Sequence, residues 1–212
     1  MSHDDNMEQI EKAKYEKVWA DPAYRGWSPG CEEQQRANKF FEYLAQEVPE
    51  TPTVADYGCG EGITVQYFSD LGYKAFGVDH AKNAVSAAGI LTFEACLWDM
   101  MHLPDTHFAF CCDVMEHIPH NKVNLVLSNI AQRTSRMAYF RIATVPDNFG
   151  PKLLGEPLHL TVEDAAWWTL AMQRHWEEVK LIERRWGYCV IICAEPKIFR
   201  TDAQESTPTE SA

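Results

Sequence analysis

Between Glu32 and Val48 the apolar residues Phe40, Phe41, Leu44, Ala45 and Val48 recur at helical spacing, and Pro49 and Pro52 close the run. This predicts a helix with one buried stripe. Beyond Pro52 short apolar runs alternate with helical patterns. "TVADYG", "KAFGVD", "LTFEACLW", "FAFCCDV" and "MAYFRIATV" read as five buried strands. Helices are expected from Thr64 to Leu71 (closed by Gly72), over "AKNAVSAAG", and from Asn121 to Arg133, where Val123, Val126, Leu127, Ile130 and Ala131 share a face. Thr161 followed by Asp164 predicts a capping box opening a helix through Trp167, Trp168 and Met172. The end, "EVKLIERRWGYCVIICAEP", reads as two strands turning at Trp186–Gly187.

Strand and helix alternating five times, followed by a hairpin, predicts an α/β three-layer sandwich. Its seven-stranded sheet is mostly parallel, with an antiparallel terminal hairpin and an N-terminal helical arm. Residues 1–50 form the arm, the first ten or so disordered; residues 51–198 form the ligand-binding domain; and 199–212, ending "TDAQESTPTESA", read as a disordered tail.

Composition narrows the function. The formal charge of −12 disfavours a nucleic-acid partner, since the basic pieces Lys12–Lys17 and Arg184–Arg185 alternate with acids. Seven cysteines without a CxxC read as reduced thiols of a cytoplasmic protein, not as a disulfide framework or a metal site. No apolar run is long enough to span a membrane, and the polar start "MSHDDNMEQIEK" does not read as a signal peptide.

The candidate chemistry begins at "VADYGCGEG". Gly58, Gly60 and Gly62 follow a buried strand, at the edge where open α/β sheets bind ligands. The spacing G-x-G-x-G departs from the dinucleotide fingerprint G-x-G-x-x-G, which disfavours a nicotinamide oxidoreductase. Asp56, two residues ahead, is a poor neighbour for pyrophosphate and a good one for a cationic or amine-bearing ligand. Asp79, with His80 beside it, closes the second strand, where a carboxylate can accept from two ribose hydroxyls. Asp99 follows the third strand, placed to meet the exocyclic amine of an adenine.

"DYGCGEG", "GVD", "LWDM" and "DVMEHIP" stand in the order and spacing of class I S-adenosylmethionine-dependent methyltransferases, which the chain resembles over roughly residues 50–195. The stretch "PDNFG…GEPLHLTVEDAAWW" is also similar to methyltransferases of bacterial and phage genomes. The resemblance implies that Gly58, Gly60 and Gly62 wrap the methionine and ribose portions and that Asp79 binds the ribose hydroxyls. Asp99 with Trp98 and Met100 would frame the adenine, and Cys112 and Asp113 would lie beside the sulfonium.

Four further readings concern the remaining constellations. "WADPAYRGWSPG" (19–30) is either an aromatic anchor or a lid, with Tyr24 lining the cavity and Arg25 meeting the methionine carboxylate. Trp167 and Trp168 read as core. His117 and His120 in "EHIPH" make a weak metal pair, because Pro119 interrupts and no third ligand is evident, so no metal is expected. The long connection from Ala143 to Leu160 carries His159, the first candidate for a general base, with His117 the second.

The function expected is methyl transfer to an oxygen or nitrogen of a small-molecule or carbohydrate-like acceptor. The alternatives are a nucleic-acid methyltransferase and a non-catalytic S-adenosylmethionine-binding protein. Against the first stands the absence of a [DNS]-P-P-[YFW] tetrapeptide after the fourth strand.

Overall fold

The computed structural model describes residues 3–22, 24, 31–100 and 102–197. Arg25 and the tail 199–212 lie outside the described residues. Two helices, α1 (His3–Ala20) and α2 (Cys31–Ala45), precede the sheet. Then follow β1 (Thr53–Tyr57), α3 (Ile63–Asp70), β2 (Lys74–Asp79), α4 (Lys82–Ala87), β3 (Thr92–Glu94) and β4 (Thr106–Cys112). After a 3-10 turn (Met115–His117) come α5 (Val123–Arg133), β5 (Thr134–Ala143), α6 (Phe149–Leu153), α7 (Ala165–Met172), β6 (Trp176–Arg185) and β7 (Tyr188–Pro196).

The seven strands form one sheet in the order β3-β2-β1-β4-β5-β7-β6. The first five are parallel, and β7 pairs antiparallel with both β5 and β6. The chain runs outward from β1 to β3 and then resumes on β1's other side at β4, so the topological switch lies between β1 and β4. This creates a crevice beyond their carboxyl ends.

Period-two alternation in β4 explains the two-sided core. Phe108, Phe110 and Cys112 face one layer, joining Phe41 of α2 and Phe68 of α3. Ala109 and Cys111 face the other, with Leu127 of α5, Phe140 of β5, Trp168 of α7 and Trp176. Phe41 stacks on Phe108 with ring centroids 4.7 Å apart, a geometry worth roughly 0.5–1.5 kcal/mol beyond the area it buries. The edge strand β6 instead carries Glu177, Glu178, Lys180, Glu183, Arg184 and Arg185, charges that discourage another chain from pairing there. Among the described residues no helix is long and apolar enough to cross a membrane.

Four local expectations are corrected. The first ten residues were expected to be disordered, but α1 starts at His3. Its Tyr15, Val18 and Trp19 pack on Ala81 and Ala84 around α4, and this docking supplies the burial that so polar a segment lacks by itself. The third strand is three residues long, because Ala95–Trp98 leave the sheet as a buried loop. The long connection after β5 contains the short α6. Finally, α7 is capped by Asp164, whose side chain accepts from the Trp167 amide, while Thr161 Oγ1 donates to the Ile118 carbonyl at 2.7 Å.

Candidate functional site

The glycine turn opens the crevice. Gly58, Gly60 and Gly62 all have positive φ (80°, 51° and 79°), so the chain folds back sharply enough for the amides of Gly58 and Cys59 to donate to the Val78 carbonyl. Asp79, at the end of β2, ties this turn to the next. Its Oδ2 accepts from the Gly60 amide at 3.0 Å and its Oδ1 from the Ala81 amide at 2.8 Å. Asp56 lies buried in β1, between Gly77 of β2 and Phe110 of β4. Burial, reinforced by the Asp79 charge, pushes its carboxyl up to about 8.

One face of α1 walls the crevice. Glu11, Tyr15 and Trp19, spaced four apart, line it together with Tyr24. Gly60 runs so close beneath Trp19 that a Cβ there would lie 2.4 Å from the indole edge. Trp19 meets Tyr24 edge to face at 5.0 Å, and Tyr15 meets His80 at 5.0 Å. The Tyr15 hydroxyl and His80 Nε2 are buried without a hydrogen-bond partner. Leu97 and Trp98 line the wall after β3.

Beyond β4 the crevice continues past Cys112, Asp113, Val114 and His117. Asp113 takes a left-handed φ of 55°, stabilised by its amide donating to the Arg141 carbonyl at 2.8 Å and by an ion pair with the Arg141 guanidinium. Burial pushes the Asp113 carboxyl up to about 6, against the pull of Arg141. Glu116 is fully buried; its Oε1 accepts from the Ala143 amide at 3.0 Å, and burial holds its carboxyl well above the usual range. Burial, with His159 adding, pushes the His117 imidazole down to about 4. The His117 and His159 rings lie edge to face, 4.9 Å between centroids. Asp147 holds the His159 loop in place by accepting from the amides of Gly150, Leu158 and His159.

Of the residues singled out from sequence, Tyr24, Asp56, Gly58, Gly60, Asp79, His80, Trp98, Cys112, Asp113 and His117 line one crevice. His159 stands beside His117, outside the lining. Three others are placed elsewhere. Gly62 opens α3, where its Cβ position meets Ile90 at 2.7 Å, so its smallness serves packing. Asp99 is exposed on its turn, and Met100 is buried in the core. Glu11, Tyr15 and Trp19 of the first helix were not assigned as ligand contacts from sequence; their spacing of four was the available signal. Among the described residues six cysteines are free and buried.

A crevice of this composition at the switch point of this sheet defines the class I methyltransferase architecture. Residues 55–141 match the family model described as a methyltransferase domain, and the seven-stranded sheet has the class I methyltransferase fold. Solved structures agree in fold. A magnesium protoporphyrin IX methyltransferase from Synechocystis with S-adenosylmethionine bound aligns at TM-score 0.58 and 13% identity, over 89% of this chain and 96% of that one. DhpI, in complex with S-adenosylhomocysteine, aligns at TM-score 0.64 and 14% identity, over 89% and 97%. A TehB-like S-adenosylmethionine-dependent methyltransferase from Corynebacterium glutamicum aligns at TM-score 0.58 and 15% identity, over 88% and 99%. No curated protein sequence matches the chain.

The crevice fits this methyl donor. The buried Asp56 and the half-buried Asp79 suit a cationic ligand bearing an amine and a ribose, and the partnerless Tyr15 hydroxyl and His80 Nε2 are polar atoms a ligand can satisfy.

Proposed function

We propose that the protein methylates an oxygen or nitrogen of a small-molecule or carbohydrate-like acceptor in the cytoplasm. In this reading the Gly58–Gly60 backbone and Asp56 meet the methionine portion, Asp79 the ribose, and Leu97 and Trp98 the adenine. Asp113 and Cys112 border the sulfonium, and α1 with Tyr24 closes over the bound molecule. S-adenosylmethionine supplies the electrophilic methyl group. The protein's own contribution is alignment, exclusion of water by the Tyr15–Trp19 face, and a place for the acceptor's proton.

The observation that carries the reading is the imidazole pair beyond Asp113. His117 Nδ1–H donates to the Leu158 carbonyl at 3.1 Å and His159 Nδ1–H to the Val145 carbonyl at 2.6 Å. A carbonyl can only accept, so Nδ1 carries the proton in each ring, and the neutral form of each then presents Nε2 as an acceptor that can face a hydroxyl or amine. The acidic chain, of formal charge −12, supports a small acceptor over nucleic acid. The six buried free cysteines agree with a reducing compartment.

Incubation with methyl-labelled S-adenosylmethionine and fractionated cell extract tests this. Label in a small-molecule or polysaccharide fraction is expected; label confined to nucleic acid, or tight binding without turnover, overturns it. With the acceptor in hand, His159→Ala is expected to bind the methyl donor normally and to lose turnover by roughly a hundredfold or more. Full turnover in that variant would leave alignment alone as the source of rate.

A further inference from the structure

The same imidazole pair belongs to a three-residue cluster. One donor atom from each of Glu116, His117 and His159 lies within 4.8 Å of the other two. Glu116 and His117 come from the 3-10 turn after β4, and His159 from the loop ahead of α7. The two segments are pinned together, because the amides of Leu160 and Thr161 both donate to the Glu116 carbonyl, at 2.8 and 2.9 Å.

The donor atoms are prepared as a ligand set. Both rings spend Nδ1–H on backbone carbonyls, which orients each ring and leaves the Nε2 lone pair available. Ligating histidines are held in this way by their outer-shell partners. Asp147 adds a further layer by gripping the amides of Leu158 and His159. Glu116 is the independent sign. Its side chain is wholly buried, Oε1 is used by the Ala143 amide, and Oε2 has no partner at all. A buried carboxylate oxygen left bare is costly, and a cation is the partner that two neighbouring imidazoles can share with it. The nearby positive charge, Arg141, is already committed to Asp113 and to the face of Tyr188, 4.4 Å from the ring centroid.

We propose that Glu116, His117 and His159 bind a divalent first-row transition-metal cation, and that this cation receives the acceptor of the methyl group. Two nitrogens and one carboxylate oxygen favour Mn²⁺, Fe²⁺ or Zn²⁺ over Mg²⁺, which prefers an all-oxygen shell. Three protein ligands leave coordination positions for water or substrate. The assignment rests on the methyl-transfer reading, sharpens it to an oxygen acceptor, and commits the two Nε2 lone pairs to the cation in place of the acceptor's proton. The hydroxyl's proton passes to water, its oxygen lone pair forms the new O–CH₃ bond, the S–CH₃ bond breaks, and that electron pair returns to sulfur.

Titration of the metal-free protein with Mn²⁺, followed by calorimetry and by loss of the free-ion electron paramagnetic resonance signal, tests the site. Wild type is expected to bind one ion per chain, with Mg²⁺ at least tenfold weaker. Glu116→Gln, which keeps an acceptor for the Ala143 amide, and His159→Ala are each expected to weaken Mn²⁺ binding roughly 10- to 100-fold or more. His120→Ala, at an exposed ring beside Glu163, should bind as wild type does. Should either variant misfold, Mn²⁺ broadening of the His117 and His159 ring signals of the wild-type protein, with His107 unaffected, answers the same question. No stoichiometric ion, undiminished binding by both variants, or broadening elsewhere overturns the site. S-adenosylmethionine binding is measured on the same samples. If it persists without metal binding, only the cation assignment fails; if it is absent, the methyl-transfer reading fails on its own account.

Discussion

Asp56 is a carboxylate placed inside a sheet, and its cost is legible in how pH should act on the protein. Its pKa is raised to about 8 by burial and by Asp79. The folded state therefore holds a proton that the unfolded chain releases near pH 4, and stability falls as pH rises between about 4 and 8. Thermal unfolding of the ligand-free protein is expected to show this loss, and Asp56→Asn to flatten that part of the profile; an unchanged profile would remove Asp56 as the cause. A cationic ligand prefers the ionised carboxylate, so S-adenosylmethionine affinity should climb between pH 6 and 8, by at most about tenfold per unit. Asp79 tests the site differently. It fixes the Gly60 and Ala81 amides and is proposed to accept from the ribose. Asp79→Ala should lower affinity about ten- to a hundredfold, since hydrogen bonds to a charged group contribute roughly 1.5–3 kcal/mol each. Unchanged affinity in the folded variant would sink that role.

At the scale of elements, α1 makes a separate prediction. Its Glu11, Tyr15 and Trp19 line the crevice from outside the sheet, and Trp19 lies directly on Gly60. If this helix closes over the methyl donor, protease should cut the ligand-free protein within residues 12–30, and S-adenosylmethionine should slow the cutting. Equal rates with and without ligand would leave α1 an anchor only. The sequence pattern understated this helix because charged and polar residues run through it and its apolar residues are few. Its stability comes from docking on α4, which no local pattern reports. The buried strands were legible for the opposite reason, since continuous apolar runs bounded by glycine and charge admit few alternatives. The charged β6 was legible through the Trp186–Gly187 turn that joins it to the apolar β7. Turns were legible in part. Motif spacing put Trp98, Asp99 and Met100 together, yet consecutive residues on a turn point in different directions. Trp98 lines the crevice, Asp99 is exposed, and Met100 enters the core.

Over the whole molecule, the strand order places the ends of β1, β2 and β4 around one crevice. The alternation of elements predicted a mostly parallel sheet with a terminal hairpin, and the order of its strands is set by the fold. The cluster at its far end did not follow. Histidines three apart in "EHIPH" suggested pairing His117 with His120, but His120 faces solvent beside Glu163. His117 instead meets His159 from a distant loop, a closure set by tertiary contacts such as Thr161 to Ile118. The acidic balance, a formal charge of −12, also acts at this scale. It attracts a positively charged methyl donor over a distance of about 10 Å at 0.1 M salt, so raising ionic strength should weaken S-adenosylmethionine binding modestly.

The central claim is that the crevice between the glycine turn, Asp79 and α1 is the S-adenosylmethionine site of a working methyltransferase. Calorimetric titration of S-adenosylmethionine into wild type, Asp79→Ala and Trp19→Ala tests it most directly. The account predicts one bound molecule per chain in wild type and clearly weaker binding in both variants, with their folds retained. Binding of equal strength in all three proteins, or no binding by wild type, would contradict it.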